Sequence, residues 1–172
     1  MNKPKAIIFD VDGTLCDVSS IRHLVDTTDP KFEGKKQFDR FHRESINCPS
    51  HRKVVDAFHA AKADGIVCIV ATGRAEKHRT VTRWWLHSHD LFPEQQLHRP
   101  ADDYRPDVVV KREMLDLLEQ HYEIIEVWDD NPRVIEMWQA AGLKVNIMPG
   151  WPVRDGIAVE ATSEKECASN GS

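Results

Sequence analysis

Residues 5–9, Lys-Ala-Ile-Ile-Phe, form a short and almost wholly apolar run that stops at Asp-Val-Asp-Gly-Thr. A strand covered on both faces reads this way, whereas a half-exposed strand alternates. Similar runs follow at 66–71, 124–128 and 144–148. Helical spacing separates them. Val54, Val55, Phe58 and Ala61 recur at helical intervals after Ser50, which is placed to cap, and before Gly65, which is placed to stop. The segment 76–88 carries Val81, Trp84, Trp85 and Leu86, and 110–120 carries Met114, Leu115, Leu117 and Leu118, with Val108–Val110 as its entry. A last helix starts near Pro132, carries Val134, Ile135 and Trp138, and ends at Gly142. Trp84 and Trp85 are adjacent, so at most one of them lies fully in the core.

Strands alternating with helices predict an α/β fold, a Rossmann-like parallel sheet with helices on both faces. Such sheets bind ligands beyond the carboxyl ends of their strands. Residues 17–49 interrupt the alternation. They are polar, with Phe32, Phe38 and Phe41 as scattered anchors, and predict a small helical cap over the mouth of the sheet. The expected organisation is one domain over 1–160, with 17–49 as its insert and 161–172 as a frayed polar tail.

Of the 172 residues, 41% are apolar and 30% charged, which fits a soluble chain able to bury a core without disulfides. The formal charge of −5 excludes a global positive field that would draw the protein onto nucleic acid, though not a local basic groove. Cys16, Cys48, Cys68 and Cys167 form no Cys-x-x-Cys pair, and no run is long enough for a signal peptide or a membrane span. A reduced, cytoplasmic setting is the expectation.

The unusual polar residues fall at the predicted strand ends: Asp10-Val-Asp12-Gly-Thr, Thr72-Gly73-Arg74, Asp107 with Lys111, and Asp129-Asp130-Asn131. Singly, each has a bland reading as a turn, a cap or a solvated helix residue. Jointly they suit phosphate monoester hydrolysis, a reaction that needs enhancements up to roughly 10²¹-fold. A carboxylate nucleophile, Asp10, divides it into two displacements through an aspartyl phosphate. Asp12, two residues on, would protonate the leaving oxygen and then activate water. Mg²⁺ would lift the repulsion between Asp10 and the phosphate, held by Asp10, the carbonyl of Asp12 and a carboxylate of the Asp129/Asp130 pair. The Thr72 hydroxyl, the Gly73 N–H and the Lys111 ammonium would serve the phosphoryl oxygens, and Lys111 would also position Asp10.

These residues resemble the four motifs of the haloacid dehalogenase superfamily, Phe9-Asp-Val-Asp-Gly-Thr-Leu15 being the most specific. Within it, Lys3-Pro-Lys-Ala-Ile-Ile-Phe-Asp-Val-Asp-Gly-Thr-Leu15, Arg105-Pro-Asp-Val-Val-Val-Lys111 and Val134-Ile-Glu-Met-Trp138 are similar to the 3′-phosphatase domain of T-even phage polynucleotide kinase. That resemblance implies active-site roles in substrate binding for Arg74 and Asp107, and for an arginine soon after the first motif, here Arg22. It implies a polynucleotide 3′ end as substrate and a separate kinase or ligase as partner. These 172 residues hold no Gly-x-x-x-x-Gly-Lys-Ser/Thr string of a kinase.

Arg74, Arg99 and Arg105 are candidates to engage phosphates or stack on a base, although Arg99 and Arg105, in a Pro-rich loop, read equally as solvated. A nucleotide or small-molecule phosphatase would need the same catalytic set. A phospho-accepting signalling module shares strand-end acids, Thr and Lys, but needs no Asp-x-Asp-Gly-Thr. His78, His87 and His89 do not make a zinc site and are expected to be exposed or capping.

Overall fold

The structure, a computed structural model, describes residues 2–150 and the backbone of a short antiparallel ribbon, 153–154 with 157–158. The tail expected at 161–172 lies outside the described residues. The sheet has five parallel strands in the order β3-β2-β1-β4-β5, namely β1 (Lys5–Phe9), β2 (Val67–Ala75), β3 (Gln95–Arg99), β4 (Glu123–Asp129) and β5 (Lys144–Ile147).

β1 is the middle strand, and its apolar run is explained by its two faces. Ile7 and Phe9 enter one core cluster, while Ala6 and Ile8 enter the other. β2 repeats the division, with Cys68 and Val70 on the first side and Ile69 and Ala71 on the second. Helices α2 (Arg52–Ala63) and α3 (Arg79–Ser88) cover the first face through Val54, Phe58, Ala61, Trp85 and Leu86. Helices α4 (Asp107–Leu118) and α5 (Pro132–Ala140) cover the second through Val110, Met114, Leu115, Leu118, Val134 and Trp138. Phe58 is 1% exposed, with its ring 5.1 Å from that of Phe9. Burial of one such side chain is worth about 1.5–3 kcal/mol.

The chain runs outward from β1 to β3, then crosses to β4 on the other side of β1. This reversal opens a crevice at the carboxyl ends of β1 and β4. Asp10 and Asp129 stand at those two ends, which is how the topology selects the site.

Four sequence expectations change. Ser50 does not cap α2: His51 is the cap residue, without a side-chain bond. Ser50 instead pairs its backbone with Cys16, and Asp17 N–H donates to the Pro49 carbonyl at 2.8 Å. The 17–49 insert therefore leaves and returns at neighbouring points. Secondly, 95–99 is a strand and not loop. As an edge strand it carries polar side chains, which bond laterally, Gln95 to the Tyr122 hydroxyl at 2.8 Å and Gln96 to His98 at 2.7 Å. Thirdly, the helix expected at about 110–120, with Asp107 and Lys111 at its start, runs from Asp107 to Leu118. Fourthly, His78 is buried, not exposed; it stands at the N-cap position of α3, but its side chain makes no cap bond and meets Asp39 of the insert at 3.0 Å.

The insert holds two 3₁₀ turns, Arg22–Leu24 and Ser45–Asn47, and helix α1 (Phe38–Glu44). Val18, Ile21, Leu24, Val25, Phe41 and Cys48 pack into the same cluster as Phe9. Trp85 is the buried member of its pair and donates to the Cys48 carbonyl at 2.8 Å, while Trp84 is 67% exposed. No helix among the described residues is long and apolar enough to cross a membrane.

Candidate active site

Asp10 continues β1, its N–H donating to the Trp128 carbonyl at 3.0 Å. Its carboxylate is almost buried. Lys111 lies one turn into α4, whose amino end opens at the mouth of the sheet, and is 1% exposed. Its ammonium donates to Asp10 Oδ1 and to Asp129 Oδ2, both at 2.8 Å. Burial works to neutralise Lys111, but the charges of Asp10 and Asp129 prevail and hold its pKa well above the ordinary value.

The two acids after β4 are placed differently. Asp129 Oδ1 accepts from the N–H groups of Asp130 and Asn131 at 2.9 and 3.0 Å, and its Oδ2 accepts from Lys111 and from Trp138 Nε1 at 3.0 Å. Both of its oxygens are engaged. Asp130 Oδ2 is buried without a hydrogen-bond partner. Asp10, Asp129 and Asp130 each offer an oxygen within 4.8 Å of the others, the one such cluster among the described residues. Burial, with the charges of Asp129 and Asp12 added, pushes Asp10 up to about 7 against the pull of Lys111. Burial and the charges of Asp10 and Asp129 likewise raise Asp130 well above the carboxylate range. One ammonium does not balance three buried acids. An orphaned carboxylate oxygen in that setting fits a hard divalent cation.

Gly13 makes this approach possible. Its φ is +80°, a conformation side chains rarely adopt, and a Cβ there would overlap Asp130 Oδ2. Gly13→Ala is expected to cost about 1–3 kcal/mol, read by urea denaturation, and to lower phosphatase activity by displacing Asp130. Wild-type stability with wild-type activity would show that the loop yields freely.

Thr72 ends the regular part of β2, is buried, and its hydroxyl accepts from Arg74 N–H at 3.2 Å. Gly73 is packed against the Asp107 carboxylate, where any Cβ would collide. Arg99 locks this pair by donating to the Gly73 carbonyl at 2.9 Å and to Asp107 Oδ1 at 2.6 Å. Arg99 is therefore neither solvated nor open to a phosphate, being only 6% exposed. Arg105 is at the surface and paired with Asp103 and Glu113.

Arg74 was expected to meet substrate, yet its side chain is fully buried and turns to the protein. Nη2 and Nε clasp Asp12 Oδ1 and Oδ2 at 2.5 and 2.8 Å, and Nη1 donates to Thr82 at 3.1 Å. Burial alone would raise Asp12, but this guanidinium overrides it and keeps the carboxyl below its usual pKa. Asp12 retains 19% side-chain exposure, enough to face the crevice. His42, from the insert, faces Asp12 Oδ2 at 3.9 Å. Burial pushes His42 down to about 3, so the ring is neutral. Arg22 stands half-buried in its 3₁₀ turn, its charge beside Asp17.

The structure thus gathers Asp10, Asp12, Lys111, Asp129 and Asp130 around one crevice, with Thr72, Gly73, Arg74 and Asp107 on its β2 side. Sequence reasoning missed Gly13 as a contact, Arg99 as a lock and His42 altogether. Only Gly13 carried a signal, its place inside Asp-Val-Asp-Gly-Thr.

Residues 4–149 match the polynucleotide kinase PNKP phosphatase domain. The chain belongs to this family. It is a phosphomonoesterase of the haloacid dehalogenase type. A protein of Autographa californica nuclear polyhedrosis virus, assigned as a bifunctional polynucleotide kinase/RNA ligase, is 25% identical over 138 residues, 79% of this chain and 18% of its own. A chain of the Pnkp1/Rnl/Hen1 complex is also 25% identical, with a TM-score of 0.71 over 85% of this chain and 45% of that one. This phosphatase domain spans under half the length of either relative. The class C acid phosphatase of Bacillus anthracis, with tungstate bound, shares the fold at 16% identity and a TM-score of 0.66, over 87% of this chain and 68% of that one.

Proposed function

We propose that this phosphatase removes a phosphate from a polynucleotide 3′ end, with Mg²⁺, through an aspartyl phosphate on Asp10. The observation that carries the metal and nucleophile is the asymmetry of the acidic crevice. Asp129 is fully hydrogen-bonded and orients Lys111, whereas Asp130 Oδ2 is buried and unpartnered. Asp130, Asp10 and the Asp12 carbonyl would hold Mg²⁺, and Asp129 would serve as the brace of Lys111. Bound there, the ion supplies positive charge that lets an anionic phosphate approach a carboxylate.

In the first step an Asp10 oxygen attacks phosphorus and the P–O bond to the leaving alcohol breaks. Asp12 delivers the proton that the alkoxide needs. In the second step Asp12 takes a proton from water, whose oxygen attacks phosphorus, and the Asp10–phosphorus bond breaks to release phosphate. Lys111 holds Asp10 in register, while Thr72 and the Gly73 N–H, kept in place by Arg99 and Asp107, face the phosphoryl oxygens. The packing of the insert into the same core as Phe9 supports 17–49 as a small cap on a single domain over 1–160, and a cap of that size would leave room for a polymer end.

The polynucleotide reading is supported by the family and by the names its relatives carry, and a separate kinase or ligase would act on the neighbouring ends. Phosphate release with Mg²⁺ from 3′-phosphorylated and 5′-phosphorylated oligonucleotides and from free 3′- and 5′-nucleotides tests it. Preference for the 3′-phosphorylated oligonucleotide is expected. Equal or better turnover of free nucleotides would overturn the substrate and leave the chemistry standing.

A further inference from the structure

His42 is an imidazole where hydrocarbon would pack. It is 6% exposed and boxed by rings, with centroids at 6.3 Å from Phe38, 5.4 Å from Phe41 and 4.6 Å from His78. Its Nδ1 is buried without a hydrogen-bond partner. Its Nε2 points at Asp12 Oδ2 from 3.9 Å, beyond hydrogen-bond reach. Burying polar nitrogens so poorly satisfied is unfavourable, so packing alone does not account for the residue.

Its support is also built for position. Asp39, three residues earlier on α1, is bonded to His78 at 3.0 Å and to Lys77 at 2.8 Å. Both partners lie just beyond Thr72-Gly73-Arg74 on the same stretch of chain. The insert is thereby fastened to the segment that supplies Arg74, and both elements bring a nitrogen to the Asp12 Oδ2 oxygen, Arg74 Nε at 2.8 Å and His42 Nε2 at 3.9 Å.

Asp12 needs such a second neighbour. Two Arg74 nitrogens hold its two oxygens, at 2.5 and 2.8 Å. To reach a leaving group the carboxyl must turn partly out of that clasp. We propose that His42 is a positioning residue for Asp12, whose imidazole N–H takes up the Asp12 Oδ2 oxygen as the carboxyl loosens from Arg74 to reach the leaving group. The inference rests on the acid/base reading of Asp12 given above, and it assigns the insert a direct part in the reaction.

The test is a comparison of leaving groups. On a 3′-phosphorylated oligonucleotide the departing alkoxide requires a proton; on p-nitrophenyl phosphate the departing nitrophenolate barely does. His42→Phe keeps the ring packing and removes the N–H. It is expected to lower kcat on the oligonucleotide roughly tenfold, the scale of one hydrogen bond to a charged group, with less than about a twofold change on p-nitrophenyl phosphate. His42→Gln, which restores an N–H, is expected to recover most of the loss. If the Phe variant does not fold, as read by its thermal midpoint, His42→Met takes its place.

Unchanged turnover of the oligonucleotide, equal losses on both substrates, or no recovery with Gln would each overturn the proposal. Asp12→Asn in the same assay separates the two readings. Equal losses there remove Asp12 from the acid role itself. A selective loss for Asp12→Asn beside an indifferent His42→Phe removes only His42.

Discussion

Asp10→Asn is expected to abolish turnover, by at least roughly 10⁴-fold in kcat, the scale on which removal of a nucleophile is felt. The fold should survive. An amide oxygen can still accept from Lys111, which at present donates to Asp10 Oδ1 at 2.8 Å. What the amide cannot do is attack phosphorus. The same substitution should also stabilise the protein in EDTA, and the pH dependence gives the sign. The folded-state pKa of Asp10 is raised, to about 7 from the reference of 3.8, first by burial. Below pH 3.8 the carboxyl is protonated in both folded and unfolded chains and costs nothing. As pH rises toward 7 the unfolded chain ionises freely while the folded one resists, so stability is lost. Asparagine does not titrate. The thermal midpoint of the metal-free variant should therefore rise above that of the parent as pH goes from 4 to 8. Ordinary activity in Asp10→Asn would sink the mechanism; a variant less stable than the parent at pH 8 would show that the Lys111 contact outweighs the crowding of charge.

Where sequence and structure agree, the reason is burial on both faces. The sheet was legible because β1, β2 and β4 have two covered faces and so read as apolar runs, β1 and β4 ending in acids and β2 in Thr72-Gly73-Arg74. β3 was not, because an edge strand with Gln95, Gln96 and His98 satisfies itself by lateral bonds and shows no apolar run. The acids themselves were visible at strand ends, since local order along the chain places them there. Their division of labour was not. Asp129 and Asp130 are adjacent and chemically alike, and the bonds from Lys111, Trp138 and two backbone N–H groups separate the engaged acid from the orphan. Arg74 shows the same limit. Its place beside Thr72-Gly73 marks it for the site, but whether a guanidinium there points at substrate or clasps Asp12, 62 positions away, is decided by packing. His42 and Arg99 lie furthest from legibility, because an imidazole on a polar insert and an arginine on an edge strand look like solvated surface until the chain closes over them.

The largest structural effect is expected from Lys111→Met. Methionine is close to lysine in length and carries no charge, so loss of charge is isolated from loss of volume. Two carboxylates, Asp10 and Asp129, then lose the ammonium that each binds at 2.8 Å, in a place 1% exposed. Removing one partner from a buried ionic group costs about 3–5 kcal/mol, because the remaining charge is stranded. That loss should itself be pH-dependent. Lys111 pulls the raised folded-state pKa of Asp10 down, so without it that pKa rises further, and the variant should be nearly as stable as the parent near pH 4 and fall behind as pH increases. Urea denaturation at pH 5 and pH 8 reads the difference, and wild-type stability at pH 8 would show that Lys111 is not the counter-charge. Activity should fall with it, since Asp10 loses its anchor. Mg²⁺ supplies the discriminating arm. A cation held by Asp10 and Asp130 would relieve part of the stranded charge, so the ion should raise the thermal midpoint of Lys111→Met by more than it raises that of the parent. An equal shift in both would mean that the ion and the ammonium do not share Asp10, and would move the metal away from the crevice.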